Sequence, residues 1–189
     1  MKCLFLGYNN NQTKLIKFLK KKKISVTNKK TKIVASDIKK YDIIISFGYR
    51  KIIKSNIIKK IKKPIVNLHM SYLPFNRGAN HNFWSFYYKT KKGVTIHEVN
   101  KGVDAGPIIF RKEIKFNVQK NKKLSFKRTY KILFSELEKL FIKNYKSIIF
   151  SKYKKKKNLK LKDKVHKKSD LPKDLKNWNL SIYNYLNNR

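Results

Sequence analysis

Cysteine is all but missing: Cys3 stands alone among 189 residues, which excludes an internal disulfide and any cysteine-built metal cluster. Glycine (6) and proline (4) are scarce, and alanine occurs only at positions 35, 79 and 105. Acidic residues number 10 against 49 Lys and Arg, a formal net charge of +39. No apolar run approaches the roughly 20 residues that a membrane span requires. The start of the chain lacks a signal-peptide pattern, because Lys2 and a short apolar stretch lead straight into Gly7 and polar residues. The expectation is a cytoplasmic protein with no membrane partner.

What is present argues for a folded domain. A hydrophobic fraction of 41% and an aromatic fraction of 13% exclude global disorder, and the length suits one domain with a real core. Taken alone, the positive charge suggests a nucleic-acid or membrane-surface partner. Yet all basic residues but Arg50, Arg77, Arg111, Arg128 and Arg189 are lysine, and they spread along the whole chain. The abundant residues (Asn, Ile, Lys, Phe, Tyr) share A/T-rich codons, so the bias is read as compositional, giving a solvated lysine coat. A preference for phosphate-bearing substrates survives under either reading.

Lys2 to Leu6 reads as a buried strand, Thr13 to Lys23 as an amphipathic helix, and Ile24 to Val26 as a second strand. Asp42 to Phe47, β-branched and stopped by Gly48, is the clearest strand. Ser55 is expected to N-cap a helix over Asn56 to Lys62 that ends at Pro64, before a strand at Ile65 to His69. An aromatic helix over Asn82 to Lys89 follows the loop Ser71 to Asn80. Gly93 to Val99 and Pro107 to Ile114 read as paired strands, and Leu124 to Phe150 as a long helix. Its apolar face is Leu133, Leu137, Leu140, Phe141 and Tyr145. Lys154 to Lys157 reads as a mobile turn or hairpin, with short helices expected around Asp170 to Trp178 and Ser181 to Asn187. The alternation implies an α/β fold, a mostly parallel open sheet with helices on both faces. Residues 1–150 would form the catalytic domain and 151–189 a short lysine-rich C-terminal extension.

Asn67 and His69 lie two positions apart on a strand, so they share a face, at the carboxyl end where open parallel sheets bind ligands. Asp104 sits in a second turn, Lys101-Gly102-Val103-Asp104-Ala105-Gly106-Pro107, between two strands. An amide donor, an imidazole and a carboxylate on neighbouring strand ends suit oxyanion stabilisation and proton movement. Alone, Asn-x-His reads as a strand pair and Asp-x-Gly as a turn. Together with Ser71, Leu73-Pro74 and Gly93-Val94-Thr95 they make a long ordered pattern. The four histidines show no ligand spacing with acidic partners, so no metal is expected. His97 reads as a structural strand residue, His81 lies near the site without a role, and the aromatics Phe83 to Tyr88 read as packing.

At these residues the sequence resembles the folate-dependent formyltransferase family, over roughly Met1 to Lys146 and most specifically across Val66 to Ile109. The resemblance implies a Rossmann-like fold, with 10-formyltetrahydrofolate as co-substrate and Asn67, His69 and Asp104 as the catalytic trio. It puts the cofactor against Arg50, Ile52, Val99, Gly102 and Asp104, the first two in the loop after the clearest strand. The loop from Ser71 to Asn82 is closest to that of amino-sugar N-formyltransferases acting on nucleotide-linked sugars. This implies substrate contacts at Met70, Ser71, Asn76, Arg77 and Asn80. The stretch Gly7-Tyr8-Asn9-Asn10-Asn11-Gln12 lacks the glycines of a glycinamide ribonucleotide phosphate loop, and the residues after Phe150 are too few for a further β-barrel domain.

Formyl transfer to the primary amine of a nucleotide-linked amino sugar is therefore the leading expectation. Glycinamide ribonucleotide, a phosphorylated amine, is the alternative acceptor. A basic nucleic-acid-binding protein on a retired enzyme scaffold is the alternative of another class, with nucleic acid otherwise not expected as a partner. The family's sugar enzymes pair through C-terminal elements, which is compatible with a homodimer here.

Overall fold

The computed structural model describes residues 1–60, 63–159, 164–175 and 177–188. Elements follow in the order β1 (Lys2–Gly7), α1 (Leu15–Lys21), β2 (Ser25–Lys29), α2 (Ala35–Ile38), β3 (Ile43–Phe47), α3 (Ser55–Ile58) and β4 (Ile65–His69). After them come α4 (His81–Tyr87), β5 (Gly93–Glu98), β6 (Ile108–Glu113), α5 (Phe126–Ile149) and α6 (Ile182–Asn187). Among the described residues the strands form one six-stranded sheet ordered β2-β1-β3-β4-β5-β6. β1 to β4 run parallel, whereas β5 pairs antiparallel with both β4 and β6. The expected mostly parallel α/β sheet is what the chain forms.

Strand alternation divides the core into two layers. Cys3, Phe5, Ile43, Ile45, Phe47, Val66, Leu68, Val94 and Ile96 face α1 and the long α5. Leu4, Leu6, Ile44 and Ile65 face the opposite way, against Ile38 of α2 and Ile57 of α3. Asn67 and His69 follow Ile65 in this alternation, so they lie on the face that α5 leaves open.

A third apolar cluster joins α4, the start of α5 and the end of the chain: Phe83, Trp84, Phe86, Leu124 and Phe126 surround Ile182, with Leu171, Leu175 and Tyr185 packed on them. Burial of Phe83, Trp84 and Phe86 agrees with reading that segment as packing, whereas Tyr87 and Tyr88 at its end are exposed. Among the described residues, no helix is long and apolar enough to cross a membrane.

Local expectations fail where a helix is a single turn. Ser55 does not cap α3: it is the first helical residue, while Lys54, in extended conformation, precedes it without a side-chain cap. α3 stops at Ile58 instead of reaching Lys62, and residues 61 and 62 of the expected helix lie outside the described residues. α2 escapes periodicity altogether, since four residues hold barely one turn; Asp37 stabilises it by accepting from the Val34 N–H at 2.9 Å. The helix expected over Asp170 to Trp178 is replaced by a short 3₁₀ turn at Lys168–Asp170 and further turns, with Lys176 outside the described residues. Lys154 to Lys157 is not a hairpin, for Lys156 exchanges both backbone hydrogen bonds with Ile108 at the edge of the sheet (2.9 and 2.8 Å).

Candidate active site

The antiparallel register of β4 and β5 sets Asn67 across from His97 and His69 across from Thr95. All four side chains therefore share the open face. Thr95 Oγ1 donates to the Ser71 carbonyl at 2.7 Å and accepts from Leu73 N–H at 3.1 Å, which fixes the loop leaving β4. Arg111 adds a bond to the Leu73 carbonyl (2.6 Å) and lies 4.1 Å from the Tyr72 ring centroid. β5 carries a register shift between Ile96 and His97, an irregularity of the kind that re-aims side chains.

Asp104 brings the cluster together. Its Oδ1 lies 3.4 Å from Asn67 Nδ2, 3.5 Å from His97 Nε2 and 3.7 Å from His69 Nδ1, while Oδ2 accepts from the Gly78 N–H at 2.9 Å. The turn that carries it closes tightly: a Cβ at Gly106 would stand 1.7 Å from the Glu98 carbonyl oxygen, so only glycine fits there. Asp104 itself has φ +47, in the left-handed region where aspartate is tolerated. His97 Nδ1 lies 2.8 Å from the Glu98 carbonyl, so it donates there and leaves Nε2 to accept from Asn67 Nδ2 at 3.0 Å. His81 packs its ring on His69, centroids 4.5 Å apart. His69 Nε2 and His81 Nε2 are both buried with no hydrogen-bond partner among the described residues.

Burial dominates the electrostatics. It pushes the His69 imidazole from 6.5 down to about 3, against the pull of the Asp104 carboxylate, so His69 is neutral at physiological pH. His81 is lowered for the same reason. Burial alone would raise the Asp104 carboxyl. The neighbouring His69 and the Gly78 N–H outweigh it and hold Asp104 well below the usual carboxylate range. The site at rest thus sets an anionic carboxylate beside the neutral imidazoles of His69 and His81.

The expected substrate residues divide by where their polar atoms go. Met70 is buried in the core, Ser71 Oγ donates to the Phe75 carbonyl (2.6 Å), and buried Asn76 donates to Thr90 Oγ1 (2.7 Å). These three shape the loop. Arg77 offers its carbonyl to His166, and Asn80, at the N-terminus of α4, has a buried Nδ2 with no partner among the described residues. Of the expected cofactor residues, Arg50, Ile52 and Gly102 are exposed. Val99 packs on the same small cluster as Tyr49 and Ile53, so the loop after β3 and the start of the Asp104 turn rest on one apolar patch. Sequence reasoning took His97 as structural and gave His81 no role. Pairing register would have placed His97, but register is a tertiary fact, and nothing in the local sequence reports it.

An open α/β sheet with an amide, imidazoles and a carboxylate gathered at the carboxyl end of a central strand defines a class of enzyme that can stabilise an oxyanion and move a proton. The Formyl transferase family model matches residues 2–132, and the chain belongs to that family. Among solved structures, the formyltransferase PseJ from Anoxybacillus kamchatkensis, in complex with UDP-4,6-dideoxy-4-formamido-L-AltNAc and tetrahydrofolate, is 34% identical. Its TM-score is 0.87, and 96% of each chain is covered. The N-formyltransferase from Helicobacter canadensis shares the fold at 21% identity and TM-score 0.72, over 90% of this chain and 72% of that one.

Curated relatives match over shorter stretches. The bifunctional polymyxin resistance protein ArnA of Wigglesworthia glossinidia brevipalpis is 39% identical over 90 residues, 47% of this chain and 14% of ArnA. The dTDP-4-amino-4,6-dideoxyglucose formyltransferase of Mycobacterium bovis is 35% identical over 80 residues, 42% of this chain and 33% of that enzyme. The matched stretch thus spans a third or less of these two proteins.

Proposed function

We propose that this chain transfers a formyl group from 10-formyltetrahydrofolate to the primary amine of a nucleotide-linked amino sugar. The carrying observation is the Asn67–His69–His97–Asp104 cluster, in a chain matched over 96% of its length by a formyltransferase that was solved with a formamido sugar nucleotide and tetrahydrofolate. The co-substrate supplies the formyl group on its N10, and transfer exchanges that C–N bond for one to the acceptor nitrogen.

In this reading negative charge builds on the formyl oxygen, and Asn67 Nδ2 donates to it. Both Nδ2 hydrogens have acceptors inside the protein, and the oxyanion replaces the longer contact, 3.4 Å to Asp104. His97, accepting from the other hydrogen, keeps the amide aimed. The acceptor amine must lose a proton as the leaving nitrogen gains one. His69 relays it: the tautomer with Nδ1–H toward Asp104 leaves a lone pair on the unpartnered Nε2. Asp104 stabilises the imidazolium that forms. Arg50, Ile52, Val99 and Gly102 line the pterin side. Asn80, with its unused amide donor, and Arg77 face the sugar nucleotide.

We also infer a cytoplasmic enzyme that pairs as a homodimer, which light scattering in solution checks. The reaction is tested by incubating the protein with 10-formyltetrahydrofolate and UDP-, dTDP- and GDP-linked amino sugars. Mass spectrometry should find one acceptor heavier by a formyl group. Transfer to glycinamide ribonucleotide, with none to any sugar, would replace this reading by the purine one.

A further inference from the structure

Asp104 and Gly78 meet through a 2.9 Å hydrogen bond, yet each sits on its own loop, and both loops are held from outside by residues beyond 150. Asn158 Nδ2 donates to the Asp104 carbonyl at 2.9 Å and the Gly106 carbonyl at 3.0 Å. Just before it, Lys156 bridges Ile108, the Tyr153 hydroxyl donates to Glu98 Oε1 at 3.1 Å, and Lys155 Nζ lies 2.9 Å from the same oxygen. The turn between β5 and β6 is thereby gripped along its length.

Further on, His166 N–H donates to the Arg77 carbonyl at 3.0 Å and its own carbonyl accepts from Ala79 N–H at 2.8 Å, bracketing Gly78. Its ring stacks on Trp84, centroids 4.2 Å apart and planes 13° from parallel. Contact at Gly78 is close enough that a Cβ would stand 2.3 Å from the His166 carbonyl oxygen, and φ there is +91.

We propose that Asn158 and His166 are positioning residues for formyl transfer, latching the Asp104 turn to the Gly78 loop so that the carboxylate stands correctly against His69. The proposal rests on the functional reading above. It also assigns work to a segment that lies outside residues 2–132 of the family match. The physical need is plain: Asp104 occupies the left-handed region and neither loop is regular secondary structure, so something must hold both. Displacing a catalytic group by about 1 Å lowers turnover by about 10²-fold.

Asn158→Leu keeps bulk and removes both donated bonds. We expect kcat to fall by about 10- to 100-fold, with KM for both substrates little changed. In an Asp104→Asn background the same change should add almost nothing, because the two act as one unit. His166→Ala should lower kcat, and His166→Phe, which restores the stack on Trp84, should recover most of it.

Amide hydrogen exchange reads the latch without any turnover: Gly78 and Ala79 should exchange faster in Asn158→Leu and His166→Ala than in the parent. An equal loss of kcat in the Asp104→Asn background, or Gly78 exchange unchanged in both variants, overturns the proposal. If the parent protein formylates none of the acceptors, the functional reading falls, and the exchange rates alone decide whether the latch exists.

Discussion

A proton arriving at His69 meets Asp104 3.7 Å from Nδ1 on one side and the His81 ring, 4.5 Å between centroids, on the other, with His97 completing the enclosure. Because burial lowers His69 to about 3 in the fold, against 6.5 in the unfolded chain, the unfolded chain binds more protons between those values. Stability from this residue is therefore complete above about pH 6.5 and is lost as pH falls toward 3. His81 contributes with the same sign. Urea midpoints measured across that window should fall with pH, at up to about 1.4 kcal/mol per unit from each such histidine, and His69→Asn should flatten the slope. At neutral pH, Asn67→Ala should lower kcat by about 10²–10³-fold, the size typical of a lost oxyanion donor, and steady-state kinetics will show it. That Asn67, His69 and Asp104 belong together was legible only through the resemblance of the longer ordered pattern, because alone the strand pair and the glycine-flanked turn carry no such information. His97 was not, since its place depends on how β4 and β5 are aligned.

At the scale of elements, α1 and α5 are joined by a buried acid. Lys14 precedes α1 without a side-chain cap, and Glu138 of α5 fills that place. Its Oε1 accepts from Thr13 Oγ1 at 2.6 Å and from Lys14 N–H at 3.0 Å. Glu138→Ala leaves the buried Thr13 hydroxyl and the part-buried Lys14 N–H without this acceptor and should destabilise the protein by about 1–3 kcal/mol in chemical denaturation. Glu138→Gln, which keeps an acceptor oxygen, should lose less. The periodic reading of α5 put its apolar stripe at Leu133, Leu137, Leu140, Phe141 and Tyr145, of which Leu140 and Tyr145 are only partly buried. It passed over buried Glu138, because a pattern of apolar positions carries no information about an acid within the stripe. The long α5 was legible for the complementary reason, many residues voting for one period, and β3 because its β-branched run stops at Gly48. The single turns α2 and α3 give too few votes.

Across the whole molecule, 49 basic residues against 10 acidic ones repel one another in the compact state. Salt screens that repulsion, so Tm measured by calorimetry should rise between low and physiological ionic strength, opposite to the trend for a fold held by surface ion pairs. The sheet order could be anticipated only in outline, as alternating βα units and a β5–β6 pair; the antiparallel pairing of β5 with β4 and the return of the chain across β6 come from contacts distant in sequence. That return has a consequence for synthesis. Gly78 and Asp104 leave the ribosome well before the residues that bracket them, Asn158 and His166. A nascent chain holding the full sheet and the long helix still has both loops untied. The order of translation thus makes the arrival of Asn158 and His166 a late step for both loops, the one that ties a site whose sheet strands and long helix are already made.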